Sequence, residues 1–189
     1  IYMKNFLKDY YQDIHSIRVQ DLNNISKLKQ VKKMIKDLPK KNKLIFCGNG
    51  GSSATCSHVS VDFTKNAKIN SINFNETDFI TCLSNDYGFE NWIFKALELY
   101  AVKGDILFLL SVSGKSKNLV KAIEYCKKNN IRVVTLTGSN KSNSMIKKNK
   151  SGINIYVNSK SYNKVEIIHH MYLLSLIDFC IGKTIYPPN

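Results

Sequence analysis

The chain has 189 residues, 43% of them hydrophobic, and carries 28 Lys and Arg against 14 Asp and Glu, a formal net charge of +14. That is enough chain for one domain with a sizeable core, and no apolar run approaches the ~20 residues of a membrane span. A charge of this size suits nucleic acid, an acidic surface or an anionic substrate, but the lysines are dispersed (Lys27, Lys29, Lys32, Lys33 and Lys36, then Lys147, Lys148 and Lys150) as on solvated helix faces, and no RNA-binding aromatic motif or zinc-finger spacing accompanies them, so nucleic acid is not the expected partner.

Residues 4–37 are expected to form two helices. Phe6, Leu7, Tyr10, Tyr11, Ile14 and Ile17, then Ile25, Leu28, Val31, Met34 and Ile35, recur at three- and four-residue spacing. Such wide apolar stripes need covering, by the domain or by a partner subunit. After Pro39 the texture changes. Lys43–Cys47 reads as a strand, Ser53–Phe63 as a helix, and Phe79–Leu83 as a short strand ended by Ser84-Asn-Asp-Tyr-Gly88. Trp92–Ala101 reads as helix, Asp105–Leu110 as an apolar strand, and Leu119–Asn129 as an amphipathic helix. Arg132–Leu136 is a strand closed by Thr137-Gly-Ser139, Met145–Lys150 a short helix, Ile153–Val157 a strand, and Lys164–Ile181 a final apolar helix.

Strands and helices alternate, and the strands are continuously apolar. This predicts an α/β fold, a doubly wound parallel sheet sandwich with N-terminal helices, in a single domain over 1–189. Ligands of such sheets bind at strand carboxyl ends, where every polar, glycine-rich turn named above is expected. Five cysteines (Cys47, Cys56, Cys82, Cys126, Cys180), an odd number without a Cys-x-x-Cys pair, read as free thiols of a reducing cytoplasm. The N-terminal Ile1-Tyr-Met-Lys-Asn5 carries no signal-peptide pattern, so the expected location is cytoplasmic.

Gly48-Asn-Gly-Gly-Ser52 joins a strand to a helix. A turn of this kind presents backbone N–H groups and the positive end of a helix dipole, and suits an anion. It matches the dinucleotide fingerprint only in part, because Ser53 stands at the last glycine position and no acidic residue ends a second strand. In Ser111-Val-Ser-Gly-Lys-Ser116, Ser111, Ser113 and Ser116 crowd one glycine. One serine suffices to cap the next helix; three make a phosphate cradle. The Gly, Lys and Ser spacing is not that of a Walker A loop.

Gly48-Asn-Gly-Gly-Ser-Ser-Ala54, Ser84-Asn-Asp-Tyr-Gly-Phe89, Ser111-Val-Ser-Gly-Lys-Ser-Lys-Asn118 and Thr135-Leu-Thr-Gly138 follow one another in that order. Together they resemble the sugar isomerase (SIS) domain, and within it the phosphoheptose isomerases, over nearly the whole chain. The resemblance implies a flavodoxin-like sandwich and a homotetramer with active sites at subunit interfaces, its N-terminal helices (residues 1–38) used in packing. It implies that Ser111, Ser113 and Ser116 hold a sugar phosphate. Asn49 and Ser52, with the Gly50–Gly51 turn, would meet the sugar, and Asp86 and Thr137 would line the pocket. The implied activity is isomerisation of sedoheptulose 7-phosphate for lipopolysaccharide or capsule.

Aldose–ketose isomerisation moves a proton between C1 and C2 through an enediol and needs a base and an acid. The family's glutamate base falls on Asp62, one methylene shorter. His58, one turn earlier on the same face, matches a histidine that joins the glutamate in binding zinc in some members. No cofactor is required, and the zinc set is incomplete here, because Val165 stands where a glutamine would complete it. The family's acid is a histidine of the last helix, and neither register of Val165–Leu174 supplies it without a shift; His170 could serve only if the helix were offset. His169 and His170 are the candidates, and they point ~100° apart, so at most one faces the pocket. The alternative is a non-catalytic SIS protein that binds a phosphosugar or a protein partner as regulator or scaffold. The altered acid–base positions favour it.

Overall fold

The chain's structure, a computed structural model, describes residues 2–19 and 21–185; residues 1, 20 and 186–189 of the expected domain lie outside the described residues. In chain order the elements are α1 (Tyr2–Val19), α2 (Leu22–Lys36), β1 (Leu44–Gly48), α3 (Gly51–Lys65), β2 (Ser71–Asn73), α4 (Thr77–Tyr87) and α5 (Trp92–Tyr100). Then come β3 (Ile106–Ser111), α6 (Lys117–Lys128), β4 (Arg132–Thr137), α7 (Ser144–Lys148), β5 (Ile153–Tyr156) and α8 (Tyr162–Ile181).

The sheet is five-stranded and parallel, in the order β2-β1-β3-β4-β5, the flavodoxin-like order. Its side chains alternate between two apolar layers. Leu44, Phe46, Ile106, Phe108 and Leu110 pack under α2, α3 and α8. Ile45, Cys47, Leu107 and Leu109 pack under α5 and α6. Both faces are covered, so β1 and β3 are buried throughout, as their unbroken apolar runs require.

One element is corrected. Residues 79–83 are not a strand but belong to α4, where Asp78 sits in the first turn and Leu83 is buried. The same residues satisfy a helical stripe: Phe79 and Leu83 are one turn apart, and Phe74, Phe79 and Leu83 pack in the same layer. The strand is β2, three residues at the sheet edge, held to α3 by polar bonds such as Thr64 Oγ1 to Ser71 Oγ at 2.9 Å. So short and polar an edge strand leaves no apolar signal. It follows that Ser84–Gly88 closes a helix and not a strand.

Candidate active site

Three polar turns meet at the carboxyl ends of β1, β3 and β4, where Gly48 lies level with Leu110 and Ser111 with Thr137. The first turn opens α3 through Asn49 and Gly50. At Gly51 a Cβ would lie 2.5 Å from Glu166 Oε2, so any larger residue there displaces the Glu166 carboxylate. The Glu166 carboxylate of α8 thus rests on the first residue of α3, and its Oε1 is buried without a hydrogen-bond partner. Ser52 is buried in the first turn.

The second turn carries the three serines. Ser111 Oγ accepts from Gly114 N–H (3.1 Å) and lies 3.3 Å from Ser116 Oγ, while Ser113 Oγ accepts from Lys115 N–H (3.2 Å). Ser116 is the N-cap residue of α6, yet its side chain makes no capping bond. Its hydroxyl therefore faces the turn instead of serving the helix. Gly114 has φ +61, and a Cβ there would overlap the Asn143 carboxamide. Asn143 is buried under this turn and donates to Thr137 Oγ1 (3.1 Å). Thr137 is fully buried, its hydroxyl accepting that bond.

The acid–base candidates lie elsewhere on the helices. His58 Nε2 is 3.2 Å from Asp62 Oδ2, and His58 Nδ1 is 3.0 Å from His170 Nε2, so α3 and α8 are joined by a hydrogen-bonded chain Asp62–His58–His170. Asp62 Oδ1 also accepts from Asn66 Nδ2 at 3.2 Å. Burial, and then the neighbouring His58, hold His170 below the ordinary histidine range, with Asp62 opposing. His169 points the other way. It is 1% exposed, neither ring nitrogen has a hydrogen-bond partner, and burial lowers its pKa from 6.5 to about 4, against a small opposing pull from the Thr137 backbone. Asp86 is exposed at the end of α4, accepting from Asn85 Nδ2 (3.0 Å), and no hydrogen bond joins it to the three turns among the described residues.

The sequence matches the family model described as SIS domain over residues 5–138. The chain belongs to the SIS domain family. Phosphoheptose isomerase 2 of Campylobacter jejuni is 33% identical over 147 residues, covering 72% of this chain and 73% of that protein. The phosphoheptose isomerase of Fusobacterium nucleatum is 30% identical over 166 residues, covering 85% and 84%. In fold, the phosphoheptose isomerase GmhA from Neisseria gonorrhoeae aligns over 95% of this chain and 99% of that one, with a TM-score of 0.86 and 21% identity. A phosphoheptose isomerase from Francisella tularensis aligns with a TM-score of 0.87 and 22% identity, over 97% and 100%.

Within this SIS domain, motif reading passed over Asn118, Asn143 and Glu166. Asn118 stands inside the serine motif and forms a reciprocal carboxamide pair with Asn49 (2.9 and 3.1 Å). Asn143 belongs to no motif, and its weak signal is an Asn just before a short helix. Glu166 was visible only as a neighbour of the histidines. Among the described residues, no group of three or more His, Cys, Asp or Glu side chains converges to hold a metal ion.

Proposed function

We propose that this SIS domain is a cytoplasmic phosphosugar isomerase that interconverts sedoheptulose 7-phosphate and the matching aldoheptose 7-phosphate, for surface polysaccharide. The observation that carries the reading is the serine turn: hydroxyls of Ser111, Ser113 and Ser116 around Gly114, with Ser116 released from capping α6. The phosphoheptose isomerases similar to it over most of both lengths support the substrate. The serine hydroxyls and the N–H groups opening α6 hold the phosphate; Asn49 and Ser52 meet the sugar chain.

Proton transfer falls to the chain on α3 and α8. Asp62 accepts from His58 Nε2–H, so His58 Nδ1 accepts from His170 Nε2–H and His170 Nδ1 is left as a base. That nitrogen takes a proton from C1 of the ketose and returns it to C2 of the enediolate. The hydroxyl proton moves from O1 to O2, leaving an aldehyde at C1. A binding-only role gives this hydrogen-bonded chain no task. The reading needs no metal: Val165, where a glutamine would complete a zinc set, packs under Gly138 with no ligand to offer.

Asp62 lies three turns along α3 from Gly51, about 16 Å at 1.5 Å per residue. In the proposed assembly the proton-transfer groups of one copy face the phosphate turn of a neighbouring copy. Exposed Val61 and Ile167 beside that chain, and exposed Phe6, Leu7 and Tyr11 on α1, give the assembly, proposed as a homotetramer, its apolar contacts. Incubation with sedoheptulose 7-phosphate in D2O tests the activity. An aldoheptose 7-phosphate product is expected, with deuterium at C2 to the extent that the proton on His170 exchanges with solvent before its return, and no aldoheptose from folded protein would remove the proposal.

A further inference from the structure

β1 and β3 are neighbours, so the glycine and serine turns leave the sheet side by side, rooted about 4.8 Å apart. No backbone hydrogen bond crosses between them among the described residues. One pair of side chains does. Asn118 Nδ2 donates to Asn49 Oδ1 at 2.9 Å, and Asn49 Nδ2 donates to Asn118 Oδ1 at 3.1 Å.

The two partners are not equivalent. Asn118 is 2% exposed in the first turn of α6, and its Oδ1 also accepts from Leu119 N–H (3.0 Å). Asn49 is half-buried on a turn followed by two glycines. A carboxamide offers two N–H donors and two oxygen lone pairs, so the reciprocal pair uses one of each and leaves Asn49 one of each to spare. Without a partner, the amide could rotate and exchange its donor for its acceptor.

We infer that Asn118 is a positioning residue: its carboxamide fixes the orientation of Asn49 and locks the glycine turn against the serine turn, without touching the sugar phosphate. This rests on the reading of the two turns as a phosphosugar site. It assigns the last residue of the serine motif to the sugar side of the pocket, not to the phosphate.

A double-mutant cycle read as binding tests it. Affinities for sedoheptulose 7-phosphate and for inorganic phosphate are measured calorimetrically on the wild type, Asn49→Ala, Asn118→Ala and the double variant. Inorganic phosphate reports the serine turn only. Asn118→Ala is expected to weaken sugar phosphate roughly tenfold while changing inorganic phosphate less than about twofold. On the Asn49→Ala background it should add less than about twofold, because it acts through Asn49. Asn118→Leu, similar in shape but without polar atoms, should behave alike and serves if the alanine variant misfolds. Equal loss of both ligands would make Asn118 a support of the serine turn and overturn the inference, as would losses that multiply in the double variant. A wild type that binds neither ligand removes the phosphosugar reading and the inference with it, which differs visibly from binding without coupling.

Discussion

His169 offers a sharp test of the packing of α8. It is buried with both ring nitrogens unpartnered, and its pKa is lowered from 6.5 to about 4 because burial disfavours the charged ring. The folded state therefore holds it neutral in a window where the unfolded chain takes up a proton. Its contribution to stability is fully present above about pH 6.5 and is lost as pH falls from 6.5 toward 4. At about 1.4 kcal/mol per pKa unit, the loss comes to about 3 kcal/mol. His169→Leu removes the titration at similar volume and leaves no hydrogen-bond partner stranded, so stability at pH 7.5 should change by less than about 1.5 kcal/mol. Urea unfolding at pH 7.5, 6.5, 5.5 and 4.5, at one protein concentration, gives the difference between wild type and variant, and every other titrating group cancels. The variant should gain steadily on the wild type as pH falls. A difference that stays flat within about 0.5 kcal/mol would sink this account of His169, and so would a stable variant that has lost turnover.

Ser116→Ala should weaken sugar-phosphate binding ten- to a hundredfold, the worth of about 1.5–3 kcal/mol for a hydrogen bond to a charged group, and calorimetry showing less than a twofold change would take Ser116 out of the phosphate site. Asp62→Asn should lower kcat by about a hundredfold or more with phosphate affinity unchanged, because the amide no longer fixes the His58 tautomer; steady-state kinetics at unchanged KM would decide it. Gly51→Ala should displace the Glu166 carboxylate, which its Cβ would meet at 2.5 Å, and lower the melting temperature by no more than about 3 °C, because a side-chain end can move where backbone cannot. Adding Glu166→Ala should abolish that loss, and no rescue would mean that the clash lies elsewhere. Asp105 is buried among Lys43 Nζ (2.9 Å), Asn42 Nδ2 (2.9 Å) and two backbone N–H groups, which together outweigh the burial that pushes its pKa up and leave it lowered. Its stabilisation is present above about pH 3.9 and lost as pH falls through the folded value. Asp105→Asn should abolish that acid-side loss in an unfolding series below pH 4.5.

The sheet was legible because its central strands are buried on both faces and write their position as unbroken apolar runs. The glycine and serine turns were legible as strand-end turns because small polar residues interrupt the apolar runs there. What escaped was polar and short. β2 is three residues carrying Ser71 and Asn73, and its place was taken by a helix whose Phe79 and Leu83 fit either period over so few residues. The helical register of the site was also hidden. Residue spacing says that His169 and His170 diverge by ~100°, but not which one turns inward.

The partners of α8 decide that question. Val165, Ile168, His169, Tyr172, Leu173, Leu176 and Ile177 form its buried face. Val165 lies against Gly138, and His169, one turn on, is near the Thr137 backbone, so this row seats the helix on the end of β4. Glu166 and His170 form a second row one residue round, and both address α3, at Gly51 and at His58. A valine in the first row therefore costs Glu166 and His170 nothing in position. It removes a polar atom from a place where the helix needs only to pack, while the second row keeps a carboxylate and an imidazole one turn apart, facing α3.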